Sequence, residues 1–147
     1  MRILTVRQPW AWAIVEGHKG VENRTRNLAG DYRGPVAIHA AQSIDTEACF
    51  DPRIKDLRNG RPFGGIVATG VILGVVNLWA VHKHDGSERF LCCPNAPRYT
   101  RWAQPDVWHL CLATPRKLPV PYPFKGALGL RELPEGTTEA LLAAVAS

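Results

Sequence analysis

The segment 17–26 concentrates side chains that can do chemistry. Lys19 lies in a predicted turn, and Glu22 follows it by three residues. Glu22, Arg24 and Arg26 share one face of a predicted strand, because side chains alternate along an extended chain. A lysine, a carboxylate and an arginine therefore converge close to a helix end. They form either a structural ion-pair cluster or a cleft in which the cations bind phosphate and Glu22 reads a base edge or moves a proton.

Aromatic side chains offer a second kind of chemistry. The segment 98–102 (Arg-Tyr-Thr-Arg-Trp) interleaves basic and aromatic residues, which can pair with phosphates and stack on bases. The simpler interpretation, which we favour here, is a solvated loop with one anchoring aromatic. Trp12 and Val15 are three apart on the first predicted helix and pack inward. Trp10 faces elsewhere, so it either borders a cleft or makes a second core contact.

The sequence lacks the motifs of several other common binding and catalytic sites. The chain has no Gly-x-x-x-x-Gly-Lys-Ser/Thr phosphate loop, no Gly-x-Gly-x-x-Gly turn and no Gly-x-Ser-x-Gly elbow. His82 and His84 precede Cys92 and Cys93, and these are zinc-ligating residue types. Adjacent cysteines point to opposite sides of an extended chain, so only one of them could easily coordinate the metal. We therefore predict no metal site and no cofactor.

The composition predicts one soluble, globular domain over residues 1–147. This length is about that of one ordinary domain, and a hydrophobic fraction of 46% is enough for a core. The net charge of +5 favours an anionic partner. The four cysteines and the absence of an apolar signal region favour a reduced, cytoplasmic protein. No apolar run is long enough for a membrane span, so we expect no membrane partner. The sequence does not specify the oligomeric state.

Short strands outnumber helices in the predicted secondary structure, which indicates an α+β fold with a small barrel. The predicted strands are 3–6, 21–26, 35–41, 107–112, 118–120 and 128–131. The predicted helices are 10–16, a second one capped by Ser43 or Asp45 and running to about Leu57, and 134–146. Residues 65–80 are expected to form one bent strand or two strands kinked at glycines. Residues 84–87 are expected to form a turn, and residues 88–105 an irregular segment.

Taken together, these residues resemble the ASCH family, which is related to the PUA RNA-binding fold. The likeness begins with Leu4-Thr5-Val6-Arg7-Gln8-Pro9-Trp10-Ala11 and continues with Gly17-x-Lys19-x-Val21-Glu22-x-Arg24. Segments at 34–41, 65–71 and 124–130 follow in the same family order. The resemblance therefore covers most of the chain.

The resemblance implies a small PUA-like β-barrel of short mixed strands with flanking helices and a cleft lined by the Lys-x-x-Glu-x-Arg motif. The implied ligand is RNA or another single-stranded nucleic acid, or a nucleotide-like molecule, and the basic charge agrees with it. The residues expected to bind the ligand are Gln8, Trp10, Lys19, Glu22, Arg24, Arg26, His39 and Lys125.

The resemblance also leaves an enzyme as the alternative. Some small ASCH-like proteins are amidohydrolases that deacetylate a modified cytidine, using a Lys-x-x-Thr motif in which a lysine of lowered pKa activates the hydroxyl. Position 22 is glutamate here, and Thr25 is expected to point away from the cleft. For a hydrolase acting on RNA or on a modified nucleoside such as acetylated cytidine, Lys19 and Glu22 would be the catalytic residues. A plain interaction domain with a structural ion cluster is the third interpretation.

Overall fold

The structure is a computed structural model that describes residues 1–62, 68–85 and 96–147. The strands in these ranges are β1 (Arg2–Gln8), β2 (Val21–Arg24), β3 (Gly34–Ile44), β4 (Val71–Lys83), β5 (Trp108–Pro123) and β6 (Leu130–Glu132). The helices are α1 (Trp10–Glu16), α2 (Pro52–Arg58), α3 (Pro97–Thr100) and α4 (Glu135–Ala146), with a 3₁₀ turn at Ala48–Phe50. None of the helices in the described ranges is long and apolar enough to cross a membrane.

The strands form one mixed sheet in the order β2-β5-β4-β3-β1-β6. The closed barrel expected from the sequence is wrong, because β1 is paired with β3 on one edge and with β6 on the other. Over its first residues, β1 therefore has no free edge with which it could pair with β2. Beyond Leu4, where the pairing with β6 ends, the Arg24 side chain reaches β1 instead, and its Nη2 donates to the carbonyl of Thr5 at 2.9 Å.

The core lies on both faces of this sheet, as the alternation of apolar residues along β1 requires. Leu4 and Val6 belong to the cluster that packs against Ile14 of α1, whereas Ile3 belongs to a second cluster that packs against Leu141 of α4. A third cluster joins α1 to α2 and α3, and its members include Trp12, Ile54, Tyr99 and Trp102. Helix α1 therefore sits between the sheet and the pair α2–α3.

The predicted helices are confirmed where local signals are strong. Helix α1 has the predicted bounds and ends at Gly17, and α4 begins one residue after the predicted start. The single helix predicted from Ser43 or Asp45 to Leu57 is wrong. Strand β3 continues through Ser43, and Pro52 then starts a separate helix, where its missing N–H costs nothing. Asp51 caps that helix by accepting from the Arg53 backbone N–H at 2.9 Å.

Two strand predictions also change. Residues 108–112 and 118–120 lie in one long strand, β5, and Val107 precedes it. The later prolines fall where β5 pairs with β4 alone, and an unpaired edge tolerates a missing N–H. The apolar element 65–80 is one strand from Val71 onward, with a register irregularity beside Gly74, where an added Cβ would lie 2.6 Å from the Arg116 carbonyl oxygen. Residues 65–67, 86–87 and 88–95 of the predicted elements lie outside the described ranges. Residues 97–100 of the predicted irregular segment are helical.

Gln8 connects the end of β1 to the first turn of α1. Its side chain is fully buried; Nε2 donates to the Ala68 carbonyl at 3.0 Å, and Oε1 accepts from the Trp12 backbone N–H at 2.9 Å. That N–H is one of the groups that a helix cannot satisfy within its first turn. Gln8 therefore sets where α1 begins relative to β1.

We expect Gln8→Ala to lower the free energy of unfolding by about 1–3 kcal/mol, because it leaves a buried N–H and a carbonyl without their partner. The measurement is urea denaturation followed by far-UV circular dichroism. The matched control is Gln42→Ala, since Gln42 is exposed, and its effect should stay within about 0.5 kcal/mol. Equal effects of the two substitutions would contradict the anchoring role of Gln8.

Candidate nucleotide-binding cavity

A cavity of about 370 Å³ opens between strand β2 and the part of β1 that lies beyond its pairing with β6. Thr5, Val6 and Arg7 of β1 form one side of it, and Glu22, Asn23 and Arg24 of β2 form another. Trp10, Lys19, Asp45, Arg53, Trp102 and Gln104 complete the lining. The cavity thus occupies the gap that a closed barrel would have filled with backbone hydrogen bonds.

Three charged side chains cross the inner end of this cavity. Lys19 Nζ lies 3.0 Å from Glu22 Oε2 and also donates to the Val21 carbonyl oxygen. Arg24 Nη2 lies 3.2 Å from the other carboxylate oxygen, Glu22 Oε1. Lys19 is only 4% exposed and Glu22 8%. The carboxylate of Glu22 is therefore held by a cation on each side.

The turn after α1 explains why Lys19 points inward. The backbone N–H groups of Gly17 and Lys19 both donate to the Ala13 carbonyl, at 3.0 and 2.9 Å, which reverses the chain at the helix end. Gly20 then donates to the Arg98 carbonyl at 2.7 Å. A Cβ at Gly20 would lie 2.7 Å both from that oxygen and from the Tyr99 ring. Only glycine allows β2 to start this close to α3.

The environment of Lys19 lowers its pKa. The main cause is burial, which penalises the charged ammonium, and the positive charges of Arg53 and Arg24 act in the same direction. The Glu22 carboxylate opposes the shift through its charge and its hydrogen bond. A lysine placed in this way can exchange a proton closer to neutrality than an exposed lysine.

Two tryptophans and an arginine form one wall of the cavity. The Trp10 and Trp102 rings meet edge to face, with centroids 6.1 Å apart and an interplanar angle of 81°. Trp10 Nε1 donates to Asp45 Oδ2 at 3.2 Å. The Arg53 guanidinium lies 4.7 Å from the Trp102 ring centroid, and Asp51 orients it by accepting from Nε at 3.0 Å and from Nη2 at 2.7 Å. The wall is aromatic and carries a fixed positive charge.

Asn23 attaches this wall to β2. Its Nδ2 donates to the Trp102 carbonyl at 2.8 Å, and its Oδ1 accepts from the Gln104 backbone N–H at 2.9 Å. On the other side, His109 Nε2 donates to the Gln104 carbonyl at 2.6 Å, since a carbonyl can only accept. The segment that follows α3 is therefore fixed between β2 and β5.

Four of the residues predicted from the sequence meet at this cavity, namely Trp10, Lys19, Glu22 and Arg24. Gln8 does not line it, because its amide is used between Ala68 and Trp12 as described above. Arg26 is exposed and lies beyond the end of β2. Thr25 is also exposed and is not among the lining residues.

The other two predicted residues lie on the far side of Thr5. His39 is buried beside Thr5 on β3, and its Nε2 donates to the Phe124 carbonyl at 2.8 Å. Burial lowers the pKa of His39. Lys125 is exposed, and neither residue lines the cavity. Their roles in ligand binding stay predictions.

Several lining residues were missed by the sequence analysis. Trp102 was assigned to a solvated loop with one anchoring aromatic, but Tyr99 and Trp102 are both buried around a helical turn. The interleaved basic and aromatic pattern was the signal that could have identified Trp102. Arg53 and Asp45 gave no signal, because they reach the cavity only through contacts between elements distant in sequence.

The histidines weighed as zinc ligands lie away from the cavity. His82 Nε2 is 3.1 Å from His109 Nδ1, and the His84 ring stacks on His109 with centroids 5.7 Å apart. Within the described ranges, no group of three or more His, Cys, Asp or Glu residues is arranged to hold a metal ion. Cys92 and Cys93 lie outside those ranges.

Comparisons with known proteins agree on one family. The sequence model of the ASCH domain matches residues 4–119. A crystal structure of the Zymomonas mobilis ASCH protein in a tyrosine-to-phenylalanine mutant form is 19% identical, with a TM-score of 0.56 over 97% of this chain and 96% of that one. A second crystal structure, of ASCH from the same organism, is also 19% identical, with a TM-score of 0.53 over 97% and 93% of the two chains. No curated protein sequence matches the chain.

We expect the Lys19 ammonium to titrate below the ordinary lysine pKa of 10.5. The measurement is NMR of the lysine side-chain carbons between neutral and strongly alkaline pH, with Lys19→Met to assign the signal. In Glu22→Gln the Lys19 pKa should fall further, because the carboxylate that raises it is gone. A Lys19 pKa at or above the ordinary value would contradict the burial argument.

The lowered pKa of Lys19 also determines in which direction the free energy of unfolding changes with pH. Between the folded pKa of Lys19 and the unfolded value of 10.5, the unfolded chain binds more protons than the folded one. The free energy of unfolding of the native protein should therefore rise with pH in that window relative to Lys19→Met. A difference that falls with pH would show that the Lys19 pKa is raised instead.

Proposed function

The chain belongs to the ASCH domain family, and from that premise we propose that its cavity binds one nucleotide of RNA or of another single-stranded nucleic acid. The observation that carries the proposal is a set of four cations, Arg7, Lys19, Arg24 and Arg53, around a cavity walled by tryptophan rings. Cations pair with phosphate, and aromatic faces stack on bases of any sequence. Fold alone would not support this conclusion, because one fold serves many functions.

The charges of the cavity favour an anionic ligand. Its lining carries four cations and two carboxylates, Glu22 and Asp45, and both carboxylates are in ion pairs. A phosphate supplies the negative charge that such a lining attracts.

The size of the cavity favours a single base. A volume of about 370 Å³ is near the lower end of the range for small-molecule sites. A base must leave its stack to enter such a space, which a single strand permits at little cost and a duplex resists. Trp10 is partly exposed and can supply a stacking face, whereas Trp102 is buried behind it.

We expect the native protein to bind a short single-stranded RNA, and Arg24→Gln to weaken this binding by about ten-fold, as loss of one buried phosphate contact implies. Trp10→Leu should weaken it by about 1–3 kcal/mol through lost stacking. The measurement is fluorescence anisotropy with labelled single-stranded RNA, single-stranded DNA and duplex at low and moderate salt.

The control for this titration is Arg33→Gln, because Arg33 is exposed and does not line the cavity. Its affinity should equal that of the native protein. Arg26→Gln and Lys125→Gln, tested alongside, decide whether those two residues bind the ligand as the sequence predicts. If no polymer binds, or if all five variants bind equally well, nucleic-acid binding in the cavity is wrong.

A hydrolase acting on RNA or on a modified nucleoside is the second candidate, and the lowered pKa of buried Lys19 favours it. Neutral Lys19 could take a proton from water, while Arg24 and Arg53 stabilise charge that develops on the substrate. Glu22 is held in two ion pairs and would position Lys19 instead of moving a proton itself. Thr25 cannot be the nucleophile of a Lys-x-x-Thr site from its place outside the cavity.

This second candidate predicts turnover of RNA or of acetylated cytidine, detected by chromatography and mass spectrometry. We expect Lys19→Met to lose the activity, and Arg33→Gln to retain it. The rate of the native protein should rise with pH through the folded pKa of Lys19, because only the neutral amine accepts a proton. Activity that persists in Lys19→Met would identify a contaminant or a different site.

A further inference from the structure

We propose that a single-stranded nucleic acid leaves the cavity in one direction, across a basic face formed by α2 and α3. The two helices and the residues that directly follow them carry six cationic side chains, which we call the basic face: Arg53, Lys55, Arg58, Arg61, Arg98 and Arg101. The inference rests on the proposed function, because it concerns the path of the nucleotides that follow the one in the cavity.

The basic face is one packed surface. Arg53 Nη1 donates to the Arg101 carbonyl at 2.9 Å, and Arg101 Nη2 lies 3.3 Å from Asp56 Oδ2. Beneath these contacts, Ile54 of α2 and Tyr99 of α3 share a buried cluster. These contacts hold Arg53 and Arg101 in a fixed arrangement between the two helices.

The basic face begins at the cavity itself. Arg53 and Trp102 line the cavity and also belong to α2 and to the turn that follows α3. Helix α2 has seven residues and is therefore about 10 Å long, at about 1.5 Å per residue. At about 3.4 Å per phosphate of a stacked strand, this length corresponds to about three nucleotides. Arg53 lies near the start of α2, Lys55 is exposed along it, and exposed Arg61 lies beyond its end.

The charge of this face is positive because its six cations outnumber the two carboxylates beside them, Asp51 and Asp56. Asp51 lies 2.7 Å from Arg53, and Asp56 is paired with Arg101. Several guanidinium groups also lie over aromatic rings: Arg101 is 5.5 Å from the Trp102 centroid, and Arg98 is 5.3 Å from that of Tyr99. A guanidinium held in this way presents its outer side to a phosphate or a base.

A shallow depression shares Trp10 and Asp45 with the cavity and is lined by carboxylates instead of cations. Asp45, Glu47 and Asp51 border it, together with Phe50, which is 83% exposed. Asp45 is in an ion pair with Arg7, and Asp51 with Arg53. Among the described residues, no lysine or arginine lines this depression, so a phosphate chain is attracted less to it than to the cations of α2 and α3.

The test compares a long and a short ligand. The double variant Lys55→Gln/Arg101→Gln lies on the basic face but outside the cavity lining. Its matched control, Arg33→Gln/Arg116→Gln, has the same net charge and alters two exposed residues that lie on neither helix. The ligands are a single strand of about twelve nucleotides, within the site size of single-strand binders, and a nucleoside monophosphate.

We expect the double variant to bind the long strand about ten-fold more weakly, and the slope of log affinity against log salt to fall by about 0.7 for each lost contact. Binding of the nucleoside monophosphate should not change, and the control should match the native protein with both ligands. If the double variant binds the long strand as the native protein does, the basic face is not the path, although the cavity function stands. If the native protein binds neither ligand, the proposed function fails and this inference fails with it.

Discussion

The position of Glu22 between Lys19 and Arg24 is the constraint on which the rest of the site depends. A buried carboxylate needs compensation, and here each oxygen has its own cation, at 3.0 and 3.2 Å. Burying such a triad costs desolvation energy that its Coulomb attraction only partly returns, so stability alone does not account for it. Its structural effect is to span a gap, because Arg24 also bonds to Thr5 on β1. Side chains here take the place of a strand ladder.

The gap between β1 and β2 follows from the way the strands pair. Strand β6 pairs with β1 only as far as Leu4, and β2 is four residues long and pairs with β5 alone. The end of β1 and strand β2 consequently face each other without backbone pairing. Backbone groups left unpaired in this way need partners or solvent, and Arg24 satisfies one of them. A closed barrel would have paired these strands and removed the cavity.

The sequence predicted the features that depend on neighbouring residues along the chain. It did not predict the features that depend on contacts between distant segments. Helix α1, the turn that contains Lys19 and the shared face of Glu22 and Arg24 follow from the helix end at Gly17 and from the period of the strand. The open sheet does not, because strand pairing over long separations leaves no local pattern. Proline at position 52 was a visible signal for a break, and it outweighed the helical pattern around it.

The residues of the candidate site also fall into those predicted from the local sequence and those found only from the structure. Trp10, Lys19, Glu22 and Arg24 lie within fifteen residues of one another, and they were identified together. Gln8 belongs to the same motif, yet its side-chain amide is hydrogen-bonded to the Ala68 carbonyl and the Trp12 N–H and does not line the cavity. A motif therefore marks residues that build a site as well as residues that line it, and only the three-dimensional contacts separate them. Arg53 and Asp45 needed those contacts to be found at all.

A structural ion cluster and a ligand cleft, which the sequence left as alternatives for these residues, are compatible. Burial disfavours the charged form of Lys19, and an anion entering the cavity would favour it again, because an opposite charge raises the pKa of an ammonium. In the proposed complex, ligand binding and proton uptake by Lys19 are therefore linked. Affinity for an anion then falls as pH rises through the folded pKa of Lys19, since the neutral amine attracts a phosphate less. The desolvation of Lys19 is thus part of what makes the cavity selective for negative charge.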